Sequence, residues 1–310
     1  MVAIIPPGKL VYGMQLQVQS QSTLYAEKWE ADAGVAELAA LARAADDAGF
    51  FYVAVCDHVA IPRPLSQAMG TTWYDTFTTL GFLAGVTSRV RLLSHVSVLP
   101  YKHPLQTAKA VCTLDALSGG RAVLGVGAGH ATDEFGALGV DFSLRGKLLD
   151  EAIDAVKAAL VDEFPEHNGP RWSFKDVGIG PRPIQTPRPP LWVGGSAPAS
   201  LRRAALKGDG WLPQGFATAE QIATVRELCD QAGITDPIEI GTVTEILYLG
   251  DPSWDVGSRT LSGTPDAIAE KLRAYGAMGV SHLQVRFRSR DVHEATDQIA
   301  RFGTEVGPLL

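Results

Sequence analysis

One stretch, Val90–His130, constrains the fold most, because its pattern predicts a strand, a helix and a second strand in succession. The apolar run Val90–Leu99 is typical of a buried strand. A helix is predicted from Pro104, where a missing N–H costs no hydrogen bond, to Gly119, and a second strand follows at Arg121–Val126. A strand that re-enters a sheet after one helix lies parallel to the strand before it. The stretch therefore predicts a parallel sheet covered by helices.

The same strand and helix unit recurs along the chain. The predicted strands are Val11–Val18, Phe50–Cys56, Val90–Leu99, Arg121–Val126, Leu191–Val193, Gly210–Leu212, Ile238–Leu249 and Val280–Phe287. The predicted helices are Ala31–Ala48, Trp73–Val86, Pro104–Gly119, Leu144–Phe164, Ala199–Lys207, Ala219–Cys229, Thr264–Tyr275 and Val292–Val306. Eight such units in 310 residues favour an α/β fold of the (β/α)8 TIM barrel type. The rival, an open doubly wound sheet, often carries a GxGxxG fingerprint that the first strand-to-helix connection lacks.

Two irregular stretches interrupt this repeat. Pro165–Pro190, after the fourth helix, is rich in Pro and Gly and contains the pair Trp172 and Phe174, which predicts an insertion with one hairpin. Gly250–Gly263 follows the seventh strand. Because apolar periodicity resumes after each, we expect one barrel domain over residues 1–310, with an insertion at about 165–190.

Composition and charge limit the partners. The net charge of −7 disfavours nucleic acid and anionic membranes, which both bind basic surfaces. Cys56, Cys112 and Cys229 lie far apart in apolar segments without the spacing of a metal site or a disulfide framework, so we expect buried thiols and a cytoplasmic protein. No window approaches the roughly 18 uninterrupted apolar residues of a membrane span. A small molecule is the expected partner.

Candidate functional residues collect where predicted strands end, which is where a barrel of this type places its active site. They are Asp57 and His58 after the second strand, His95 and Val96 in the third, Gly127, Ala128, Gly129 and His130 after the fourth, and Gly194, Gly195 and Ser196 after the fifth. An Asp beside a His can orient the imidazole for proton transfer, so His58 is a candidate acid or base, oriented by Asp57 or by a backbone partner. The alternative is a solvent-facing turn residue. His95 fits a buried core histidine as well as a ligand contact, and His130 fits a surface residue equally well.

The glycine turn before the fifth helix has a second interpretation. Glycines serve strand-to-helix turns for conformational reasons alone. Yet Gly194–Ser196 leads into a helix N-terminus, where free N–H groups and the helix dipole favour an anion such as phosphate. The alternating Arg286, Arg288 and Arg290, in which the last strand ends, could add positive charge for an anionic ligand, the default being a solvated strand end.

Three segments of the sequence resemble a known family over nearly the whole chain. They read AGFFYVAVCDHV, TSRVRLLSHVSVLPYKHPLQTAKAVCTLDALSGGRAVLGVGAGH and PPLWVGGSAPASLRRAALKGDGWLP. They resemble the bacterial luciferase-like superfamily, in particular the branch that uses the deazaflavin coenzyme F420. That resemblance implies a (β/α)8 barrel with an insertion after the fourth helix, and a homodimer.

The resemblance also implies roles for single residues. It puts Asp57 and His58 beside the cofactor ring, with the histidine exchanging a proton, and a non-proline cis peptide at His95-Val96 against the ring face. It assigns the turns Gly127–His130 and Gly194–Ser196 to the phosphate-bearing side chain of the cofactor. Relatives that oxidise sugar phosphates often have an acidic residue where His130 stands, and an aromatic residue where Ile61-Pro62 stands. These departures argue against a sugar phosphate and leave the substrate open.

The predicted function is that of an oxidoreductase exchanging a hydride between F420 and a small organic substrate, with the protein supplying position and a proton. The first alternative is an FMN-dependent monooxygenase of the same superfamily. A more distant alternative is a metal-dependent barrel hydrolase, although the first strand reads Gln15-Leu16-Gln17 where such barrels often place a His-x-His pair. A cofactor-binding protein without catalysis is a further alternative. No metal site is predicted.

Overall fold

The computed structural model describes residues 1–20, 22 and 25–310, and eight parallel strands of this part of the chain close into a barrel. The strands are β1 (Val11–Gln15), β2 (Tyr52–Val55), β3 (Arg91–Ser94), β4 (Ala122–Gly127), β5 (Leu191–Gly194), β6 (Gly210–Leu212), β7 (Glu239–Leu249) and β8 (His282–Phe287). They follow one another in chain order around the barrel, and β8 pairs with β1 to close it. The predicted (β/α)8 barrel is confirmed.

Eight helices alternate with these strands. They are α1 (Val35–Asp47), α2 (Thr76–Val86), α3 (Pro104–Ser118), α4 (Arg145–Val161), α5 (Pro198–Lys207), α6 (Ala219–Gln231), α7 (Pro265–Ala277) and α8 (Val292–Arg301). Capping matches the sequence at several starts: the Asp75 side chain caps α2, and Thr264 caps α7 ahead of a proline in the first turn. Within the described ranges, no helix combines the length and apolar character needed to cross a bilayer.

Shorter elements lie in the connections. Helical turns span Lys28–Asp32, Arg63–Leu65, Ser66–Met69, Leu99–Tyr101, Thr132–Ala137, Phe142–Leu144, Phe302–Val306 and Gly307–Leu309. His167–Asn168 and Ser173–Phe174 pair antiparallel, so the hairpin predicted in the insertion after α4 is present. The stretch Gly250–Gly263, predicted to be irregular, contains a strand at Thr260–Gly263 that pairs with the end of β7.

The third strand departs most from its prediction. The run Val90–Leu99 does not form one strand: β3 ends at Ser94, and Ser97–Val98 pairs separately with β4. Between the two lies a cis peptide bond, His95-Val96, at the position that the family resemblance implies. Hydrophobic periodicity reports burial and not peptide geometry, so the apolar run alone predicted continuous strand.

Three large rings fill the barrel interior, each lying over a glycine of the neighbouring strand. A Cβ atom at Gly13 would lie 2.5 Å from the ring of Tyr52, and one at Gly210 would lie 2.4 Å from Trp192. At Gly241 it would lie 2.3 Å from the imidazole of His282. Since each aromatic ring buries about 150–250 Å², Tyr52 and Trp192 contribute on the order of 4–6 kcal/mol of burial apiece before conformational entropy is counted. The glycines make that packing possible.

Candidate active site

The cis bulge is held by two of the predicted glycines. A Cβ atom at Gly127 would lie 2.5 Å from a methyl group of Val96, and one at Gly194 would lie 2.8 Å from the other. The Val96 side chain therefore occupies the space that side chains on β4 and β5 would take. Val96, Gly127 and Gly194, predicted separately along the chain, form one close-packed unit at the barrel mouth.

The rest of the turn after β4 is equally tight. Gly129 has a φ of +77°, and a Cβ atom there would lie 2.7 Å from both Phe135 and Val98. Ala128 is half-buried and packs on the core. His130, the last residue of the turn, is exposed. The turn thus brings the chain from β4 directly into the short helix Thr132–Ala137.

That short helix supplies a carboxylate to His58. Glu134 Oε2 lies 2.9 Å from His58 Nδ1, and the Glu134 side chain is only 2% exposed. Its other oxygen, Oε1, accepts hydrogen bonds from the backbone N–H groups of Val59 at 2.7 Å and Ala60 at 3.1 Å. One carboxylate therefore fixes both the ring of His58 and the backbone that follows it.

These contacts set the charge of Glu134. Burial alone would raise the pKa of this carboxyl group. The hydrogen bonds from His58 and from the backbone of Ala60 and Val59 outweigh burial, and the pKa lies below its usual value. Glu134 is therefore a carboxylate at neutral pH and can only accept hydrogen bonds.

The His58 ring is enclosed by two other rings. The indole of Trp73 meets it edge to face with 4.6 Å between centroids, and the imidazole of His130 does so at 5.4 Å. Loss of solvation and the neighbouring His58 lower the pKa of His130. Two of the predicted histidines are thus brought together, with Trp73 as a third member.

Asp57 does not orient His58, contrary to the sequence prediction. Its carboxylate is turned to the other side, where it accepts hydrogen bonds from the backbone N–H of Val98 at 2.8 Å and from the hydroxyl of Thr76 at 3.1 Å. Lys102 Nζ pairs with it at 2.5 Å. Successive residues leaving a strand point in opposite directions, so neighbours in sequence do not share a partner here. Asp57 ties the end of β2 to the segment after the bulge.

His95 points into the barrel rather than toward His58. Its Nδ1 lies 3.4 Å from the amide of Gln284, and burial lowers its pKa to about 4. His282 lies in the same layer, with a pKa lowered by burial to about 3 and its ring stacked on Trp192 at 4.4 Å. Both imidazoles are uncharged at neutral pH. A cavity of about 10 Å³ lies between them, lined by Tyr52, His95, Leu212, Pro213, Thr242, Val243, His282 and Gln284.

The turn after β5 forms a different kind of site. Gly195 has a φ of +111°, and a Cβ atom there would lie 2.7 Å from Ser200 Oγ. Ser196 Oγ accepts the N–H of Gln214 at 2.9 Å and so fixes the turn. The N–H groups of Ser196, Ala197 and Ala199, at the start of α5, make no hydrogen bond within the described part of the chain. They form a cradle of free donors at a helix N-terminus, which suits an anion.

The three arginines at the end of β8 and directly after it are paired with carboxylates. Arg286 lies 3.4 Å from Glu30, and Arg288 lies 2.9 Å from Glu27. Arg290 lies 3.0 Å from Glu294, four residues along the chain. Their charges are therefore balanced locally, and the expectation that they attract an anionic ligand gains no support. Across the described residues, no group of three or more His, Cys, Asp or Glu side chains is arranged to hold a metal ion.

Several residues of the site were missed by sequence reasoning. They are Trp73, Lys102, Glu134 and Gln284. Trp73 lies just before α2, and Lys102 and Glu134 lie in short connections that carry no periodicity. The one available signal for Glu134 was its place directly after a glycine turn that ends a strand.

Comparison with known proteins identifies the family. A profile of the luciferase-like monooxygenase family matches residues 12–251. An uncharacterized protein of Mycobacterium tuberculosis is 33% identical over 219 residues, covering 66% of this chain and 75% of that protein. The oxygenase component of a flavin-dependent trigonelline monooxygenase from Acinetobacter baylyi is 30% identical over 192 residues, covering 61% of this chain and 48% of that protein.

A solved structure agrees on the fold. The coenzyme F420-dependent tetrahydromethanopterin reductase of Methanopyrus kandleri superposes with a TM-score of 0.72 at 20% identity, covering 97% of this chain and 99% of that one. The family match spans most of the barrel, including β1 to β7 and the bulge. The protein belongs to the luciferase-like monooxygenase family, whose members are oxidoreductases and monooxygenases.

Proposed function

We propose that this protein is a cytoplasmic F420-dependent oxidoreductase that exchanges a hydride between the deazaflavin and a small organic substrate. The observation that carries the proposal is the buried pair of Glu134 and His58, 2.9 Å apart, at the barrel mouth beside the His95-Val96 bulge. An imidazole held by a carboxylate is a suitable group for moving a proton near neutral pH. Hydride transfer to or from a carbonyl or imine carbon requires such a proton.

The residues at the mouth fit the cofactor. The free N–H groups at the start of α5, next to the turn at Gly195, would hold its phosphate, because such donors at a helix N-terminus favour an anion. Val96, locked between Gly127 and Gly194, would support the ring with an apolar surface. When bound, the deazaflavin supplies or accepts the hydride. The protein's own groups orient it and handle the proton.

His58 and its neighbours would act on the substrate. Nε2 of His58 makes no hydrogen bond to any described residue and is the nitrogen available for a substrate proton. The half-buried Trp73 against the ring limits access of water to it. Asp57 and Lys102 hold the backbone from which His58 projects. Positioning and proton transfer are the contributions expected of this chain.

An FMN-dependent monooxygenase is the second candidate function. It is favoured by the 30% identity to a protein named as a flavin-dependent monooxygenase component. The turn at Gly194–Ser196 would hold the phosphate of FMN by the same N–H groups. The phosphate site alone therefore does not distinguish FMN from F420.

Cofactor binding tests the two candidates directly. The protein is mixed with F420 or with FMN and passed through gel filtration, and the absorbance spectrum of the protein fraction is recorded. We expect F420 to co-elute at about one molecule per chain and FMN to be left behind. Co-elution of FMN alone, followed by oxygen consumption with the reduced flavin, would transfer the assignment to the monooxygenase. If neither co-elutes, the proposal fails.

We also propose that the protein is a homodimer. The observation in favour is that α2 and α3 expose large apolar side chains, with Phe82 39% and Leu117 69% exposed. Obligate dimers usually cover such surface. Sedimentation velocity at micromolar concentration should give a dimer, and a Leu117→Glu variant should shift it toward the monomer. A monomer in the unmodified protein contradicts this part of the proposal.

A further inference from the structure

We propose that Glu134 is a positioning residue that fixes His58 in the tautomer with its proton on Nδ1, so that Nε2 faces the substrate as a proton acceptor. This inference rests on the proposed role of His58 in proton transfer. It assigns a function to Glu134, which lies in a short helix and not at the end of a strand, 76 positions from His58.

The geometry leaves one donor and acceptor pattern. Oε1 of Glu134 receives two backbone N–H groups, from Val59 and Ala60, and Oε2 faces Nδ1 of His58. A carboxylate has no proton to give, so Nδ1 must be the donor. A neutral imidazole carries one proton. Nε2 is then left with its lone pair free.

The packing of the short helix Thr132–Ala137 fixes the position of the Glu134 carboxylate. The neighbouring Phe135 is fully buried and packs edge to face on Tyr101 at 5.1 Å and on Phe142 at 5.2 Å. It also fills the space that a side chain at Gly129 would need. The short helix therefore has little freedom to move away from His58, and the contact is built into the packing.

Asp57 does not compete for this role. Its side chain is 3% exposed, and its carboxylate is occupied by Lys102, Thr76 and the backbone of Val98. His130 contacts the ring of His58 only edge to face, with no hydrogen bond between them. Among the described residues, Glu134 is the carboxylate that hydrogen-bonds the His58 ring.

The tautomer sets the direction in which His58 works from its resting state. With Nε2 unprotonated, the O–H proton of an alcohol, or the N–H proton of an amine, passes to Nε2 while the hydride leaves the adjacent carbon with its electron pair for the oxidised cofactor. A C=O or C=N bond forms in the substrate, and the imidazole becomes a cation that faces Glu134. In the reverse direction the cation returns the proton. The substrate class is therefore one with a proton on oxygen or nitrogen next to the reacting carbon.

The tautomer can be measured without cofactor or substrate. The protein is prepared with ¹⁵N-labelled histidine, and the ring nitrogens of His58 are assigned by their loss in a His58→Asn variant. Spectra are recorded at about pH 8.5, two units above the ordinary histidine pKa. Protonated and unprotonated ring nitrogens have widely separated ¹⁵N shifts. We expect Nδ1 to be protonated and Nε2 to be bare as the major form.

Glu134→Gln reverses the pattern. The amide oxygen of glutamine can still accept the two N–H groups of Val59 and Ala60, and its NH₂ group then faces Nδ1. Since NH₂ can only donate, Nδ1 becomes the acceptor and the proton moves to Nε2. Loss of the Nδ1–H form as the major tautomer is expected. Glu134→Asp keeps a carboxylate and is the matched control, expected to retain the Nδ1–H form.

The outcomes separate this inference from the proposed function. An Nε2–H tautomer in the unmodified protein overturns the inference, as does an unchanged tautomer in a folded Glu134→Gln variant. If Glu134→Gln does not fold, the spectrum of the unmodified protein still decides. Failure of F420 to bind leaves the tautomer result untouched, and would remove the proposed function alone. With both intact, Glu134→Gln should lower kcat for alcohol oxidation by at least tenfold while cofactor affinity is kept.

Discussion

Two sides of the barrel mouth hold their residues by different means. The side at β2 to β4 uses side-chain charges: Glu134 on His58, and Lys102 on Asp57, with both carboxylates almost wholly buried. The side at β5 and β6 uses backbone: the turn at Gly195 and the free N–H groups that begin α5. Within the described part of the chain, no ion pair involves the turn Gly194–Ser196.

The difference separates chemistry from anchoring. Charge-assisted hydrogen bonds in a buried site are short and directional, so they orient individual atoms and suit a group that must exchange a proton. Backbone donors recognise an anion by shape and dipole and take no part in proton transfer. If this division is right, substitutions on one side should change turnover and those on the other side should change affinity.

The largest expected effect is that of His58→Asn. Asparagine keeps much of the size but does not ionise near neutral pH, so kcat should fall by roughly 10²–10⁴ while cofactor affinity is unchanged. The measurement needs a substrate, found by screening alcohols, imines and enones against both cofactor redox states.

A His293→Asn variant serves as the control for that experiment, because His293 is an exposed residue of α8. It should turn over at the rate of the unmodified protein. Full activity in His58→Asn would show that the proton comes from another group, and the assignment of chemistry to the β2 side would be wrong.

Lys102→Met should have the next largest effect, which we measure as a loss of stability. It leaves Asp57 buried without its cation, and breaking such a pair costs about 3–5 kcal/mol of unfolding free energy. Lys175→Met, in a pair with two-thirds of each side chain exposed, is the matched control and should cost less than about 0.5 kcal/mol. Urea unfolding measures both. Adding Asp57→Asn to Lys102→Met should restore part of the loss, and no recovery would mean that the two side chains are not coupled.

The barrel itself could be predicted from sequence because its signals are local. Each strand is an apolar run next to a turn, and each helix has its own periodicity and cap, such as the proline that opens α3. The insertion hairpin was predicted from the proline and glycine content of 165–190. The strand prediction fails where the local sequence pattern does not determine the local backbone. At the bulge, the apolar run continues through a cis peptide that ends β3.

The site was predicted only in part, because its contacts are distant in sequence. His58 could be named since it ends a strand, but Glu134 comes from 76 positions away and no local pattern indicates that it folds back. The glycines were predicted for a phosphate, yet Gly127 and Gly194 are needed to admit the methyl groups of Val96. That reason depends on which strands are neighbours, which only the closed barrel determines.

The anchoring side is tested by Ala199→Asp. Ala199 is exposed in the first turn of α5, where an acidic residue favours the helix dipole and should not harm folding. The added charge opposes a phosphate, and we expect roughly 10–100-fold weaker F420 binding with kcat at saturation unchanged. Ala199→Asn, of the same shape without charge, should bind nearly as tightly as the unmodified protein. Ala199 suits this test better than Gly195, where the φ of +111° would strain any side chain. If the Asp and Asn variants bind F420 with equal affinity, this turn does not bind the phosphate.

The smallest expected effect concerns the barrel interior. Because its imidazoles are uncharged, we expect them to affect the pH dependence of stability and neither turnover nor cofactor affinity. Burial lowers the pKa of His282 to about 3, whereas an unfolded histidine titrates near 6.5. The unfolded chain therefore binds the extra proton first. The contribution of uncharged His282 to the free energy of unfolding is fully present above about pH 6.5. It is lost as the pH falls toward the folded pKa, by up to about 1.4 kcal/mol per pH unit. His282→Phe keeps a ring against Trp192 and removes the titration, so the slope of unfolding free energy between about pH 5.5 and 4.5 should flatten by that amount. Urea unfolding at the two pH values measures it, and an unchanged slope would mean that His282 is protonated in the folded barrel.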